Sequence, residues 1–242
     1  MTSQTDAIAA MTRKLERLAA LDDADRAAIA ALPFTVQFAP PAHYLVREGN
    51  EAVNCCLLVK GYAFRHKLAQ DGGRQIVSFH MRGDILDLQH LLFPVADHNI
   101  QTMTEAIVAW TPCRGLQQLA HERPRIADAL WRDTLIDASI FREWVLNVGR
   151  RDARTRIAHM LCEFAARAQA AGLGAADRFE LPMTQEQIGD ATGLTSVHVN
   201  RMMMQLGAEG VIARRGKDVI VGDWARLRRV AGFDAAYLHA AA

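Results

Sequence analysis

The stretch Leu181-Pro182-Met183-Thr184-Gln185-Glu186-Gln187-Ile188-Gly189-Asp190-Ala191-Thr192-Gly193-Leu194-Thr195-Ser196-Val197-His198-Val199-Asn200-Arg201 decides how the C-terminal part of this chain folds. Thr184 has the side chain of an N-cap, and Gln187 three residues later closes a capping box, so a helix should run from there to about Thr192. Gly189 sits where two crossing helices must approach closely. Gly193 can take a left-handed turn, and Thr195 or Ser196 can cap the next helix. Ile188, Leu194, Val199, Met203 and Leu206 supply a small apolar core between the two helices. Every position agrees with a helix-turn-helix.

Toward the C-terminus, Val211-Ile212-Ala213 and Val219-Ile220-Val221 flank Arg214-Arg215-Gly216-Lys217-Asp218. This predicts a two-stranded wing that carries Arg214, Arg215 and Lys217 toward a phosphate backbone. The whole chain has 28 Lys and Arg against 27 Asp and Glu, a net charge of +1, so a basic surface has to be local. The second helix leaves Ser196, Val197, His198, Asn200 and Arg201 near its N-terminal part, the end that enters the major groove in this motif. Arg201 can donate twice to guanine O6 and N7 or hold a phosphate; Asn200 can pair with adenine or hold a phosphate; Val197 can meet a thymine methyl. With Thr184 and Thr195 at the helix starts, these are the candidate contacts to double-stranded DNA.

Toward the N-terminus, the cluster Arg150-Arg151-Asp152-Ala153-Arg154-Thr155-Arg156 reads mainly as a brace, with Asp152 and Glu163 as partners for the arginines. Residues 171–174 read as a Gly-rich linker. A long helical pattern covers residues 117–148, interrupted near Pro124, and is apolar on more than one side. Such a helix needs two neighbours, one of them the same helix of a second subunit, and Ile136, Ile140 and Trp144 are the expected dimer contacts. From Phe34 to about Arg114, short β-branched and aromatic runs alternate with turn residues, which suits an antiparallel roll; Pro112 and Gly115 end it. Residues 62–68 and 75–80 around Asp71-Gly72-Gly73 read as a hairpin. Residues 6–32 read as two helices stopped by Pro33.

The expected fold is therefore α+β: helices and a β-roll sensor over residues 1–115, a dimerisation helix over 116–149, and a winged helix-turn-helix over 150–242. Half the residues are hydrophobic, ample for buried cores. The first 20 residues lack the apolar core of a secretory signal, and no stretch reaches the length needed to span a bilayer, so a cytoplasmic protein without a membrane partner is expected. Cys55, Cys56, Cys113 and Cys162 show no CxxC spacing and read as buried thiols, with Cys55 and Cys56 on opposite faces of a strand. No catalytic residue and no metal ligand set stands out.

A roll, a long helix and a winged helix-turn-helix in this order resemble the Crp/Fnr family of bacterial regulators. The segments carrying the resemblance are Leu45-Val46-Arg47-Glu48-Gly49, Leu57-Leu58-Val59-Lys60-Gly61, residues 74–84, Arg156-Ile157-Ala158 and residues 181–201. The resemblance implies a cyclic-nucleotide-binding-like jelly roll, a homodimer on a palindromic operator, RNA polymerase as a partner if the protein activates, and an effector pocket around Phe79, Gly83, Asp84, Leu88, His98 and Asn99. The ribose-holding Glu and phosphate-holding Arg-Ser of cyclic-AMP-binding members have no counterpart near Leu88 and residues 98–100, so cyclic AMP is not expected. Residues 1–54 contain no cysteine for an iron–sulfur cluster, and His90 alone does not argue for haem. The cofactor is left unknown. Val197 also stands where many members carry a Glu that reads cytosine, whereas Arg201 matches their guanine-reading arginine. Two other functions fit less of the chain: a cupin-like metal enzyme using His66, His80 and Asp84, and an effector module whose helix-turn-helix binds protein.

Overall fold

In the computed structural model, which describes residues 3–175 and 177–239, two short helices come first, α1 (Gln4–Glu16) and α2 (Asp23–Ala30). Asp22 caps α2 by accepting from the Asp25 amide, and Asp25 returns the contact to the Asp22 amide, which places the start of the helix where the sequence changes from apolar to acidic. The outer limits of the expected division, residues 1 and 242, lie outside the described residues.

Seven strands then form the roll: β1 (Thr35–Ala39), β2 (Tyr44–Val46), β3 (Asn54–Lys60), β4 (Ala63–Leu68), β5 (Arg74–His80), β6 (Asn99–Thr102) and β7 (Ala106–Pro112). They make a three-stranded sheet in the order β1-β7-β3 and a four-stranded sheet in the order β2-β6-β4-β5. Strand β3 is buried on both faces. Cys56 and Leu58 join Val46, Ala63 and Ile100 inside the roll, while Cys55, Leu57 and Val59 meet Ala7, Met11, Leu116 and Ile126 from the helices. The alternation of a strand thus sends the two adjacent cysteines to different cores. All four cysteines are buried thiols.

Two helices follow, α3 (Cys113–Glu122) and α4 (Pro124–Arg150). Gly115, expected to mark the end of the β region, lies inside α3. Pro124 occupies the first position of α4, where its missing N–H costs nothing. Helix α5 (Ala153–Ala170) is capped by Asp152, which accepts from the Thr155 amide. Beyond it lie β8 (Gly174–Ala175), β9 (Arg178–Glu180), α6 (Gln185–Thr192), α7 (Ser196–Ala208), β10 (Ile212–Arg215), β11 (Asp218–Val221) and α8 (Trp224–Ala231). Part of the expected linker is therefore strand, and the wing belongs to a four-stranded sheet in the order β10-β11-β9-β8.

The chain divides into two compact units with breaks after Lys67, Ser78 and Ala138, so α4 contributes to both. The expected dimer contacts need correction here. Ile140 and Trp144 are buried within the chain and Ile136 is half-buried, because the stripe through Ile126, Leu130, Ile140 and Trp144 faces the chain's own interior. At 100° per residue the opposite face runs through 131, 135, 138, 142, 145 and 149. There Trp131, Leu135 and Val145 are 68%, 55% and 73% exposed.

Candidate nucleic-acid interface

The local grammar of the helix-turn-helix is built as its residues dictate. Thr184 accepts from the Gln187 amide at 3.1 Å, and Gln187 Oε1 accepts from the Thr184 amide at 2.9 Å. Gly193 ends α6 in the left-handed region at φ 67°, and Thr195 caps α7 by accepting from the His198 amide at 3.3 Å. Gly189 is required by contact: a Cβ built there would lie 2.4 Å from the Leu194 carbonyl oxygen. Ile188, Val199, Met203 and Leu206 are buried between the helices, with Leu194 half-buried.

That packing leaves one outward stripe on α7, formed by Ser196, Val197, Asn200, Arg201 and Met204, all exposed. Val197 is 79% exposed, and His198 is half-buried beside the stripe. Asn200 is held at its oxygen by Gln185 of α6, whose amide nitrogen donates at 3.1 Å. Arg214, Arg215 and Lys217 are exposed on the wing, which closes more tightly than expected: Arg215 is paired with Asp218, leaving Gly216 and Lys217 as the two-residue turn. Arg226, Arg228 and Arg229 of α8 are exposed as well. Thr184 and Thr195 are engaged as caps, each accepting a backbone amide at its hydroxyl oxygen.

The basic cluster at the start of α5 braces this unit, but with other partners than expected. Arg151 pairs with Glu143, Arg154 with Glu209, and Arg156 donates to the carbonyls of Arg151 at 2.8 Å and Thr192 at 3.0 Å. Asp152 is a helix cap, and Glu163 accepts from Trp144 and Tyr237.

In the roll, each of the six expected effector-pocket residues has its own partners or packing within the chain. Asp84 accepts from Lys14 of α1 at 3.0 Å and from the Met81 amide, and Gly83 lies against α1. Leu88 packs in the helix-side core. Phe79 is buried in β5; Asn99 Oδ1 accepts from the Glu48 amide at 3.1 Å; His98 meets Gln89 and Asp97. Burial, aided by the Arg65 charge, pushes the His98 pKa down to about 4. Sequence reasoning missed Arg65: buried on β4, it donates to Asp137 of α4 at 2.7 Å and to the Leu86 carbonyl at 2.7 Å. A charge in the middle of an alternating strand was its only signal. Among the described residues no three His, Cys, Asp or Glu side chains are placed to hold an ion. Among the described residues, too, no helix is long and apolar enough to cross a membrane.

Comparisons with known proteins agree with this geometry. Residues 155–230 match the Crp-like helix-turn-helix domain. The transcriptional activator FnrL of Cereibacter sphaeroides is 32% identical over 181 residues, covering 73% of this chain and 72% of its own. Anr of Pseudomonas aeruginosa, also a transcriptional activator, is 26% identical over 192 residues, covering 78% and 77%. The structure of FixK2 from Bradyrhizobium japonicum superposes with a TM-score of 0.77 at 27% identity, over 84% of this chain and 100% of that one. With its order of elements, its helix-turn-helix and these relatives, the chain belongs to the Crp/Fnr family of DNA-binding transcription regulators.

Proposed function

We propose that this regulator works as a cytoplasmic homodimer that places the outward stripe of α7 in successive major grooves of a palindromic operator and the wing against the phosphates. The observation that carries this reading is the exposed stripe Val197, Asn200 and Arg201 beside Arg214, Arg215 and Lys217. The face of α4 through Trp131, Leu135, Ala138, Arg142 and Val145 follows the spacing of a two-stranded coiled coil, with Arg142 as its one charged position, and is assigned to the second subunit. In this division of labour residues 1–115 sense, α4 joins the subunits and residues 150–242 read DNA, with RNA polymerase as the further partner if the regulator activates. A change of state in the roll has a route to α4 through Arg65 and Asp137.

The test is a shift assay with the DNA upstream of the protein's own gene, run over a salt series. Salt-sensitive, sequence-preferring binding that Arg201→Ala weakens supports the reading; its absence under all conditions sinks it. Sedimentation of Leu135→Glu/Val145→Glu checks the dimer: a monomer is expected, and an unchanged dimer would move the interface elsewhere.

A further inference from the structure

The recognition surface contains one polar contact that crosses from the first helix of the motif to the second. Gln185 opens α6 and Asn200 lies on the outward stripe of α7; the Gln185 amide nitrogen donates to Asn200 Oδ1 at 3.1 Å. A side-chain amide rotated by 180° exchanges its oxygen and nitrogen. Rotating Asn200 alone would set its NH2 group against that of Gln185, donor against donor, so the two amides can turn only together. The contact therefore ties the orientation of the Asn200 amide to that of Gln185 before DNA arrives.

Gln185 uses one lone pair of Oδ1. The other lone pair and the Nδ2 hydrogens remain on the outward edge, an acceptor and a donor side by side. Adenine offers the matching pair in the major groove, N7 as acceptor and N6 as donor, whereas guanine presents two acceptors. Val197, one turn earlier on the same stripe, adds an apolar surface suited to a thymine methyl. We infer that Gln185 is a positioning residue that fixes the Asn200 amide for adenine, giving the half-site an adenine preference set from α6 rather than from the recognition helix alone. This rests on the DNA-reading role proposed above for α7.

The experiment is selection of half-sites from a randomised duplex pool by the full-length protein, followed by dissociation constants for all four bases at each position. The variants are Asn200→Ala, Gln185→Ala and Gln185→Lys. Wild type should prefer adenine at one position, and Asn200→Ala should lose about tenfold of discrimination there and nowhere else. Gln185→Ala should lose roughly threefold or more at the same position with the salt dependence unchanged, since a positioning contact touches no phosphate. Gln185→Lys keeps a donor toward Oδ1 and should keep the adenine preference, which a role in folding or in bulk affinity would not explain. Uniform weakening on every duplex by Gln185→Ala, an unchanged base profile, or preference for another base at the Asn200 position overturns the inference while leaving the regulator reading intact. Wild-type protein without any sequence preference overturns both.

Discussion

The indole N–H of Trp144 lies 2.9 Å and 3.1 Å from the two carboxylate oxygens of Glu163 and donates to both. The Tyr237 hydroxyl donates to the same carboxylate at 2.7 Å, so one buried acid joins α4, α5 and the C-terminal segment. Glu163→Ala strands one buried donor, Trp144, and one half-buried donor, Tyr237, and should cost about 2–4 kcal/mol in urea denaturation, while Glu163→Gln keeps an acceptor and should cost less. Burial raises the Glu163 pKa above 4.5, against the lowering pull of Arg167. The folded state then holds this proton more tightly, so this group's contribution falls as pH rises from 4.5 through its folded value. Glu163→Gln should remove that slope; identical pH profiles for the two proteins would refute it.

Buried His80, His98 and His159 act in the other direction. Burial lowers His80, His98 to about 4 and His159 to about 3, all from 6.5. They are neutral in the folded protein and take up protons on unfolding, so their contribution is complete above pH 6.5 and is lost as pH falls from 6.5 toward 4. For His98 the full loss amounts to about 3 kcal/mol by linkage. His98→Gln should be less acid-sensitive than wild type between pH 6.5 and 4 in urea titrations, and equal sensitivity would count against the burial argument.

Lys14 Nζ sits 3.0 Å from Asp84 and 2.9 Å from Asp133, joining α1, the Gly83-Asp84 turn and α4. Burial pulls its pKa down, but the two carboxylates outweigh that and raise it. Lys14→Met removes the cation that Asp84 and Asp133 share and should cost about 3–5 kcal/mol. Adding Asp84→Asn and Asp133→Asn should restore much of the melting temperature. A single variant that melts like wild type would show that the triad contributes little.

Gly189→Ala drives a methyl to 2.4 Å from the Leu194 oxygen, which forces α6 and α7 apart. The outward stripe loses its pose, so operator binding should fall by about tenfold or more, with a destabilisation of about 1–3 kcal/mol typical of overpacking. Retained affinity would mean that the crossing tolerates a side chain.

Much of the reading head was legible because its rules are local. The Thr184 and Gln187 capping box, the left-handed Gly193 and the close approach at Gly189 each depend on a few adjacent residues. The α4 faces were harder: both are apolar, and periodicity shows that a stripe exists without showing which neighbour buries it. Ile140 and Trp144 met their own chain, leaving Trp131, Leu135 and Val145 exposed. Ion-pair partners follow tertiary geometry rather than spacing, so Arg154 found Glu209 across 55 positions and Glu163 found an indole and a phenol. Strands of two and three residues, β8 and β9, are too short to show a pattern.

Arg156 reaches the end of α6 and the corner after α4 through the carbonyl oxygens of Thr192 and Arg151. Every amino acid supplies such an oxygen, so neither side chain at those two positions is needed for the link. The helix-turn-helix can therefore exchange its outward residues, and acquire a new operator, while the joint that holds it to the long helix stays the same.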